Sequence, residues 1–419
     1  MATQKQEKNI WDVAVIGGGA AGMMAAGKAA ETGRSVVLLE KNSDLGRKLL
    51  LTGGGRCNLT NFIPDTRLML AHYTGSEKFL FSAFTQFGVE KTIDFFHTLG
   101  VDTKIEAEGR VFPVSNRAQT ILDALIAYMK EGKVNIQCNA QVAGISRDAK
   151  KNIFCIRCKS KNIIEARSCV VSTGGIAKPD TGSNGDGFIW LQKFGHTIID
   201  PKTALVPITL KDLWVKKISG LTLHDIKLTI FQNKKNYKVV RGELLFTHFG
   251  ISGPTVLNMS KSVAELMRNG DVTITLDVFP DMDHGGLDKK IQTLFTSESN
   301  TMLKNTLGKL VPARLGEAIL GIAKIDGTVA CRSVRREERI CLGKLLKAIP
   351  LTTSGVLGVE VAIASSGGVM LKEINNTTMQ SRLVPNLYIV GDALNIDRLS
   401  GGYSLQIAWT TGFVAGSNC

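Results

Sequence analysis

The segment that most constrains the fold lies near the start of the chain. It reads WDVAVIGGGAAGMMAAGKAAETGRSVVLLEK over residues 11–41. It predicts a buried strand from Val13 to Ile16, a glycine turn, a helix of small and apolar residues, and a second strand from Ser35 to Leu39. Strand, turn, helix and strand in this order are typical of the α/β fold class with a Rossmann-type parallel sheet.

The glycine turn has the spacing G-x-G-x-x-G at Gly17, Gly19 and Gly22. The first glycine permits a tight turn, the second lets the backbone approach a pyrophosphate, and the third lets the helix pack on the strand. Ala20 opens the helix, whose unpaired N–H groups face the phosphates. Glu40 closes the second strand, where its carboxylate accepts hydrogen bonds from a ribose. The unit predicts a site for adenosine diphosphate, which FAD and NAD share; the alternative is a glycine turn without a ligand.

The next segment, KNSDLGRKLLLTGGGRCNLTN, favours FAD over NAD. Its layout of Gly46, Arg47 and Lys48 before a glycine run resembles FAD enzymes, whose chain continues from the ribose-binding acid along the flavin. Bare backbone at the glycines would lie against the pyrophosphate and the ring, and Arg56 and Asn58 would supply donors. Arg56 has a structural alternative as an ion-pair partner. The predicted cofactor contacts of this segment are Lys41, Arg47, Lys48, Gly53, Gly54, Arg56, Cys57 and Asn58.

The C-terminal segment VPNLYIVGDALNIDRLSGGYSLQIAWTTGFVAG predicts a strand that ends at Gly391 and Asp392, and a glycine pair, Gly401 and Gly402, that opens a helix. In FAD proteins of the glutathione-reductase type an acid after such a strand binds the ribityl chain. The helix that follows directs its N-terminal dipole at the flavin ring. A further strand, SCVVSTGG, returns to the cofactor. The remaining predicted cofactor contacts are Val142, Thr173, Gly174, Gly175, Gly391, Asp392, Gly401, Gly402 and Tyr403.

Together with RVFPVSNRAQTILDAL, VVSTGGIAKPDTGSNGDGF and GELLFTHFGISGP, these stretches resemble the YhiN/BaiN-like family of NAD(P)/FAD-dependent flavoproteins, which also contains aminoacetone oxidase. The resemblance implies a glutathione-reductase-like FAD-binding Rossmann domain with an inserted small β domain that carries a helical subdomain. The family usually shows GE-x-LD and GGYN near its C-terminus. This chain has Asp392, Asn395 and Ser404 at the corresponding positions.

The pattern of alternating and helix-period segments, read with this resemblance, predicts four stretches. Segments LTLHDIKLTIF and DVTITLDVF alternate like antiparallel strands, and SVRREERICLGKLLKAI has a helical apolar stripe. The expected stretches are 1–195 for the first part of the FAD-binding domain, 196–283 for the β-rich insert, 284–350 for the helical subdomain, and 351–419 for the return to the FAD-binding domain.

Three side chains are candidate catalytic residues, and two of them, Cys57 and His248, are candidates for moving a proton at the flavin. By resemblance Cys57 lies near the ring, where Arg56 and the glycine-rich loop would depress its pKa; its alternative is a small buried residue. His248 sits between an apolar strand and a Gly-Pro turn, and is either catalytic or structural. Tyr403 would stack on or hydrogen-bond near the flavin, and packing would explain it equally well.

Charge and cysteine usage indicate the partners and the compartment. There are 51 Lys and Arg against 37 Asp and Glu, a net charge of +14, which favours anionic partners such as nucleic acid, dinucleotides or acidic membranes, or else serves solubility. The start MATQKQEKNIWDV lacks a signal-like apolar stretch, and no segment has the ~18 apolar residues of a membrane span. We therefore expect a soluble cytoplasmic protein with reduced thiols. Cys155 and Cys158 lie in an alternating strand and face opposite sides, so no metal site is expected.

Three hypotheses for function remain. The first is an NAD(P)H-driven reduction of uridine to dihydrouridine in ribosomal RNA, the chemistry associated with YhiN-like members. The second is a small-molecule flavoenzyme, either a bile-acid-type ene-reductase or an aminoacetone-type amine oxidase. The third is a non-catalytic flavin-binding or RNA-binding protein. The only other glycine-rich candidate, TGSNGDGF, lacks the dinucleotide fingerprint, so NAD(P)H is expected to bind transiently over the flavin. No oligomeric state is predicted.

Overall fold

The computed structural model describes residues 10–233 and 235–419. Residues 1–9 of the opening segment, on which the prediction about a signal peptide rests, lie outside the described residues, as does Lys234 of the basic FQNKKNYK stretch. The chain divides into two units. The first unit is Met1–Thr203 with Ile363–Cys419, and the second unit is Ala204–Ala362.

The elements before the second unit alternate between strands and helices. The strands are β1 Trp11–Ile16, β2 Val36–Leu39, β3 Thr60–Asn61, β4 Thr103–Ile105, β5 Arg110–Pro113, β6 Asn135–Gln137, β7 Val142–Asp148, β8 Ile153–Cys158, β9 Ile163–Val171 and β10 Ile198–Ala204. The helices are α1 Ala20–Glu31, α2 Arg47–Leu51, α3 Thr66–Leu70, α4 Glu77–Gln86, α5 Val89–Thr98, α6 Ala118–Glu131 and α7 Asp186–Lys193.

The second unit begins with strands and continues with helices before a last strand. Its elements are β11 Ile208–Leu210, β12 Thr222–Gln232, β13 Lys235–Thr247, β14 Gly250–Ser252, α8 Pro254–Met267, β15 Val272–Asp277, α9 His284–Ser297, α10 Leu303–Leu307, α11 Ala313–Ala323, α12 Arg336–Lys347 and β16 Ile349–Val356. The chain then returns to the first unit with β17 Ala364–Val369, β18 Leu387–Ile389 and α13 Tyr403–Asn418.

A parallel sheet forms the centre of the first unit. Strands β6, β2, β1 and β9 follow one another across it, and β18 also pairs with β9 in the parallel direction. Strands β8 and β7 extend the same sheet in the antiparallel direction. This confirms the predicted α/β class with a Rossmann-type sheet. The predicted strand–turn–helix–strand unit corresponds to β1, α1 and β2.

Helix α1 packs on this sheet, and α13 packs against α1 through small residues. A Cβ added at Gly412 would lie 2.5 Å from the carbonyl oxygen of Ala21, and one at Gly416 would lie 2.5 Å from that of Ala25. The two helices therefore approach backbone to backbone. This contact brings the last helix of the chain beside the first.

The second unit is a closed antiparallel barrel with a helical stretch. The order around the barrel is β11, β14, β13, β12, β15 and β16. Helices α9 to α12 lie between β15 and β16 in the chain, and the unit has its own apolar core. The inserted β domain with a helical subdomain is therefore present. Helix α8, between β14 and β15, was not foreseen in the stretch predicted as β-rich.

The unit boundaries differ from the predicted stretches. The second unit runs from Ala204 to Ala362 rather than from 196 to 350. At the start, β10 pairs with β17 in a small sheet of its own. At the end, β16 pairs with both β11 and β15, and so closes the barrel rather than returning to the FAD-binding domain.

Two sequence expectations about special segments also have structural counterparts. Cys155 and Cys158 lie in β8, the former half-buried and the latter buried, as the alternating pattern predicted. Within the described part of the chain, no helix has both the length and the apolar character needed to cross a membrane.

Candidate functional site

The glycine turn after β1 is held by close backbone packing. Gly17 has φ +107°, a left-handed value that disfavours any residue with a Cβ. A Cβ added at Gly22 would lie 1.9 Å from the carbonyl oxygen of Gly17 and 2.5 Å from the Ser172 hydroxyl. Gly17 and Gly22 therefore shape the turn and dock α1 on the sheet.

Gly19 has a different environment from its two neighbours in the motif. It is the N-cap of α1, and a Cβ added there would meet no atom within 4 Å. The first turn of α1 contains no acidic residue, so its N–H groups present only positive partial charge. Open space beside a bare helix N-terminus is the environment that a phosphate group requires.

Glu40 follows β2 and is buried beside the glycine turn. One of its carboxylate oxygens accepts from the backbone N–H of Gly18 at 2.7 Å, and the other accepts from Asn42 through its backbone and side-chain nitrogens, both at 2.8 Å. These bonds fix the carboxylate at the edge of the cleft, and a carboxylate has about four acceptor positions. Glu40 therefore keeps the capacity to accept from ribose hydroxyls.

These elements surround one cleft in the first unit, which encloses about 1200 Å³ of space with its open mouth included. Of the residues predicted to bind the cofactor, those that line it are Gly17, Gly19, Ala20, Glu40, Lys41, Arg47, Lys48, Val142, Thr173, Gly174, Gly391 and Asp392. Those that do not line it are Gly22, Gly53, Gly54, Arg56, Cys57, Asn58, Gly175, Gly401, Gly402 and Tyr403.

Two buried polar atoms on the cleft wall indicate whether the cleft is suited to FAD. The ammonium nitrogen of Lys48 and the hydroxyl of Thr173 are buried and have no hydrogen-bond partner within the described chain. Burial lowers the pKa of Lys48 from its usual value, and the nearby carboxylate of Asp392 opposes this only in part. Buried polar groups are almost always paired in native proteins. A ligand with anionic oxygens, such as the diphosphate of FAD, supplies the missing acceptors, so the residues fit this cofactor.

Asp392 is shared between two cations. One carboxylate oxygen forms an ion pair with the buried Arg398 guanidinium, and the other lies 3.8 Å from the Lys48 nitrogen. Arg398 also donates to the Ser404 hydroxyl at 2.9 Å and to the Ile396 carbonyl at 2.8 Å. Two cations and one carboxylate leave a net positive charge at this wall. Ser404, where the family usually has asparagine, thus holds an arginine in place.

The run from Gly53 to Gly55 is exposed, and all three glycines have left-handed φ values of 57°, 67° and 86°. A Cβ at Gly54 would meet no atom within 4 Å, so the backbone there is bare. Cys57, two residues on, is fully buried. Burial raises the pKa of its thiol to about 12, so the expected depressed pKa was wrong. The cause is desolvation, which outweighs the hydrogen bond between the Cys57 and Thr52 side chains.

Arg56 and Asn58 both bond to protein groups. Arg56 forms an ion pair with Glu106, donates to Asn116 at 2.7 Å, and stacks over the Phe112 ring with 4.0 Å to its centroid. This is the structural alternative that the sequence left open. The amide of Asn58, in the orientation that satisfies its neighbours, accepts from the Gly402 N–H at 3.1 Å.

The glycine-run segment and the last helix meet directly. Asn61 donates to the Gly401 carbonyl at 3.2 Å, Trp409 donates to the Leu59 carbonyl at 3.0 Å, and Gln406 bonds to Thr60. Two segments that are far apart in sequence are therefore neighbours in the first unit.

Tyr403 is the first residue of α13 and is almost fully buried. Its ring stacks on His72, with 4.5 Å between centroids and an interplanar angle of 22°. Burial raises the pKa of Tyr403 to about 12, with a smaller contribution from Glu108. The phenol is therefore protonated at neutral pH. His72 was missed by sequence reasoning because no motif surrounds it; burial lowers the pKa of its imidazole.

His248 lies in the second unit, in the turn between β13 and β14. Its imidazole is exposed and contacts Phe249 edge to face, with 4.8 Å between ring centroids. Its catalytic role stays a prediction.

The segment TGSNGDGF contributes to the cleft, which the sequence did not foresee. Thr181, Gly182, Ser183 and Asp186 line it. Lys41 donates to Asn184 at 2.9 Å and to Asp186 at 3.1 Å, which ties this segment to the end of β2. The glycines signalled a turn near a ligand, but the segment was weighed only as a nicotinamide site.

The fold and the cleft define a class of protein. A βαβ unit with its glycine fingerprint, an acid after β2 and a C-terminal helix packed on α1 characterise the dinucleotide-binding domain of FAD-dependent oxidoreductases, and this chain is one of them. The HI0933-like protein Rossmann domain matches residues 11–418. The chain therefore belongs to the HI0933-like family.

Two relatives cover nearly the whole chain. A 3-dehydro-bile acid delta(4,6)-reductase from Clostridium scindens is 30% identical over 408 residues, which cover 96% of this chain and 98% of the relative. A ribosomal RNA dihydrouridine synthase from Escherichia coli is 29% identical over 401 residues, with 96% of each chain covered.

The fold has solved counterparts. The 3-ketosteroid-delta4-(5alpha)-dehydrogenase from Rhodococcus jostii, solved with 4-androstene-3,17-dione, superposes with a TM-score of 0.56. The superposition covers 100% of this chain and 98% of that one at 15% identity, so it supports the fold alone.

Proposed function

We propose that this protein uses NAD(P)H to reduce a carbon–carbon double bond, with uridine in ribosomal RNA as the leading substrate. Relatives with RNA and bile-acid substrates are 29% and 30% identical, so identity alone does not choose between them. The observation that carries the proposal is charge. The net charge is +14, and residues 204–362 alone have 22 Lys and Arg against 15 Asp and Glu. A polyanion is the substrate that gains most from such a surface.

Residues of the cleft have distinct tasks in this proposal. The N–H groups at Gly19 and the Lys48 ammonium hold the diphosphate, and Glu40 holds the ribose. Bound FAD would supply the hydride chemistry that links NAD(P)H to one carbon of the double bond, and a side chain of this protein would deliver a proton to the neighbouring carbon. NAD(P)H leaves oxidised, and the substrate gains two hydrogens.

The proton donor is one of the three predicted side chains. Tyr403 is the candidate we favour, because its ring is held against His72 at the first turn of α13. Cys57 has no exposed surface, whereas 6% of Tyr403 is exposed. His248 is exposed in the second unit.

Measuring flavin reduction and substrate reduction separately distinguishes a proton donor from a residue that only binds the cofactor. In Tyr403→Phe we expect flavin reduction by NAD(P)H at the wild-type rate and substrate reduction slowed by about 100-fold, the usual size of a general-acid contribution. Cys57→Ala and His248→Gln are the comparisons, and we expect a smaller effect from each. Stopped-flow absorbance follows both half-reactions. If Tyr403→Phe reduces substrate at the wild-type rate, Tyr403 is not the donor.

The substrate is tested first by nucleoside mass spectrometry of ribosomal RNA from cells with and without the gene. We expect dihydrouridine to be lost with the gene and restored by the purified enzyme, NAD(P)H and the unmodified RNA. Equal dihydrouridine in both strains would refute the RNA substrate.

A small-molecule substrate is the second candidate, favoured by the 30% identity to the bile-acid reductase. It predicts NAD(P)H oxidation with a steroid enone, or oxidation of an amine such as aminoacetone, in the absence of RNA. A protein whose bound FAD resisted reduction by every donor would instead be a non-catalytic flavin-binding or RNA-binding protein.

A further inference from the structure

The end of the β12–β13 hairpin extends from the barrel into solvent. Every residue from Lys235 to Val239 is exposed. The exposed fraction of the surface is 59% for Tyr237 and 50% for Val239. Strand β12 opposite is partly buried over the same stretch, where Ile230 is fully covered. We call the residues Lys235, Asn236, Tyr237, Lys238 and Val239 the hairpin tip.

One edge of the hairpin tip is free of strand partners. Strand β13 pairs with β12 from Lys235 to Leu245, but it pairs with β14 only from Leu245 to Thr247. Across the described residues, no other strand pairs with β13. An edge of this kind exposes backbone N–H and C=O groups to whatever binds there.

A bulge sets the direction of the aromatic ring. The register runs from Ile230 opposite Lys238 to Phe231 opposite Asn236, so Tyr237 is the extra residue and has no partner across the strand. Bulges re-aim side chains and are common next to functional surfaces. The exposed Tyr237 ring is therefore presented at the tip by the backbone itself.

The hairpin is positively charged, and within the described chain acidic side chains pair with its cations at the base but not at the hairpin tip. Residues 226–242 contain five Lys and Arg and no Asp or Glu. At the base, Lys227 pairs with Asp277 at 3.1 Å and Arg241 pairs with Asp281 at 2.7 Å. Among the residues that the structure describes, no acidic side chain pairs with Lys235 or Lys238. The free cations therefore flank the free ring.

We propose that the hairpin tip binds a single-stranded segment of RNA, with Lys235 and Lys238 on phosphates and a base stacked on Tyr237. Cations on both sides of an exposed ring match the alternation of phosphate and base along a strand. An acidic peptide would match the cations but would leave the ring without a partner. The proposal deepens the RNA reductase and rests on that function for the source of the RNA.

The test uses the FAD-loaded full chain and a fluorescein-labelled single-stranded RNA of about 12 nucleotides, a length within the usual site size of such surfaces. Binding is followed by anisotropy over a range of salt concentrations. We expect Lys235→Gln with Lys238→Gln to reduce the slope of log K against log salt by about 1.4, since each phosphate contact on a single strand contributes about 0.7. We expect Tyr237→Ala to weaken binding by about 5- to 100-fold and Tyr237→Phe to retain it.

A matched control removes the same charge elsewhere. Lys150 and Lys151 lie exposed in the turn between β7 and β8, and Lys150→Gln with Lys151→Gln should leave the slope close to that of the wild type. Flavin content and circular dichroism check that each variant is folded. The proposal is overturned if the wild type binds no RNA, if the tip variants bind as the wild type does, or if the control loses as much affinity as the tip variants.

Failure of this surface can be distinguished from failure of the proposed function. Dihydrouridine formed equally well by wild type and tip variants counts against the surface alone. RNA binding that depends on the tip, without any dihydrouridine, counts against the reductase and leaves the surface standing. Equal competition by poly-glutamate would identify an acidic-protein surface and overturn the RNA assignment.

Discussion

At the scale of single residues, the informative feature is a buried cation without a hydrogen-bond partner among the described residues. The Lys48 nitrogen is buried and 3.8 Å from the Asp392 carboxylate, too far for a hydrogen bond. A buried group in this state destabilises the folded chain until something binds it. We infer that Lys48 is retained for its ligand.

Lys48→Met should therefore have opposite effects on stability and on binding. We expect the thermal midpoint of the flavin-free chain to rise, because a desolvated charge is replaced by an apolar side chain of similar length. We expect FAD affinity to fall by about 10- to 100-fold, the size of a charged hydrogen bond. Thermal melts and equilibrium dialysis measure the two effects. A lower midpoint together with unchanged affinity would contradict the inference.

The pH dependence of stability gives Lys48 a second signature. Because its pKa is lowered in the folded chain, the unfolded chain binds more protons between that value and 10.5. The free energy of unfolding of the flavin-free wild type should thus rise with pH across this interval relative to Lys48→Met. Urea denaturation of both proteins at a series of pH values measures the difference, and parallel curves would argue against a lowered pKa.

Gly19 tests the phosphate site by steric exclusion. Its backbone is extended and a Cβ there meets nothing, so Gly19→Val should fold normally while its side chain occupies the phosphate space. We expect the variant to purify without flavin absorbance at 450 nm. Gly321→Val, at another open glycine in α11, is the matched control and should purify yellow. A yellow Gly19→Val would reject the phosphate assignment.

At the scale of elements, α13 is the helix that links the two ends of the first unit. It is buried along most of its length and carries polar side chains into the core. Gln406 donates to Thr92 at 2.8 Å and to Thr410 at 3.0 Å, and accepts from Thr60 at 2.6 Å. These bonds determine the rotation of the helix about its axis, and with it the direction of Tyr403.

Gln406→Leu should loosen this element. We expect the free energy of unfolding to fall by about 1–3 kcal/mol, because buried hydroxyls lose their partner. Gln192→Leu, on the exposed face of α7, should change it by less than about 0.5 kcal/mol. Urea denaturation of the flavin-free chain compares the two. Equal effects would mean that the network does not stabilise α13.

Helices and strands with a regular spacing of apolar residues were predicted from the sequence. Short elements that form only by packing against other parts of the chain were not. The strands β1 and β2 and the helices α1, α6, α12 and α13 follow directly from apolar spacing and glycine turns. The small sheet of β3, β4 and β5 was missed, since its strands have two to four residues and no alternation to detect. Helix α8 was missed because strands surround it in the sequence.

At the scale of the whole molecule, the second unit is closed on itself. Its first and last strands pair, with Ile208 opposite Val356, and it has a separate apolar core. Adjacent ends and an independent core are the requirements for autonomous folding.

Residues 204–362 expressed alone should therefore fold. We expect cooperative urea unfolding monitored by Trp214 fluorescence, since Trp214 packs against Phe246 within the unit. A truncation at the predicted boundary, residues 196–350, removes most of β16 and is the comparison; it should unfold without a cooperative transition. Equal behaviour of the two fragments would contradict the role of β16 in closing the barrel.

The sequence by itself determined the fold class, the glycine turn after β1 and the cofactor class, because glycine spacing and apolar periodicity act over short distances. The tertiary structure decided what depends on long-range contacts. The pKa of Cys57 is raised by burial rather than lowered by the neighbouring arginine. The guanidinium of Arg56 instead forms an ion pair with Glu106. In the part of the chain that the structure describes, the Lys48 nitrogen lacks a hydrogen-bond partner only because the folded chain around it excludes water. A sequence motif specifies which residues are present. The burial of a side chain and its hydrogen-bond and ion-pair partners are established only when the chain folds.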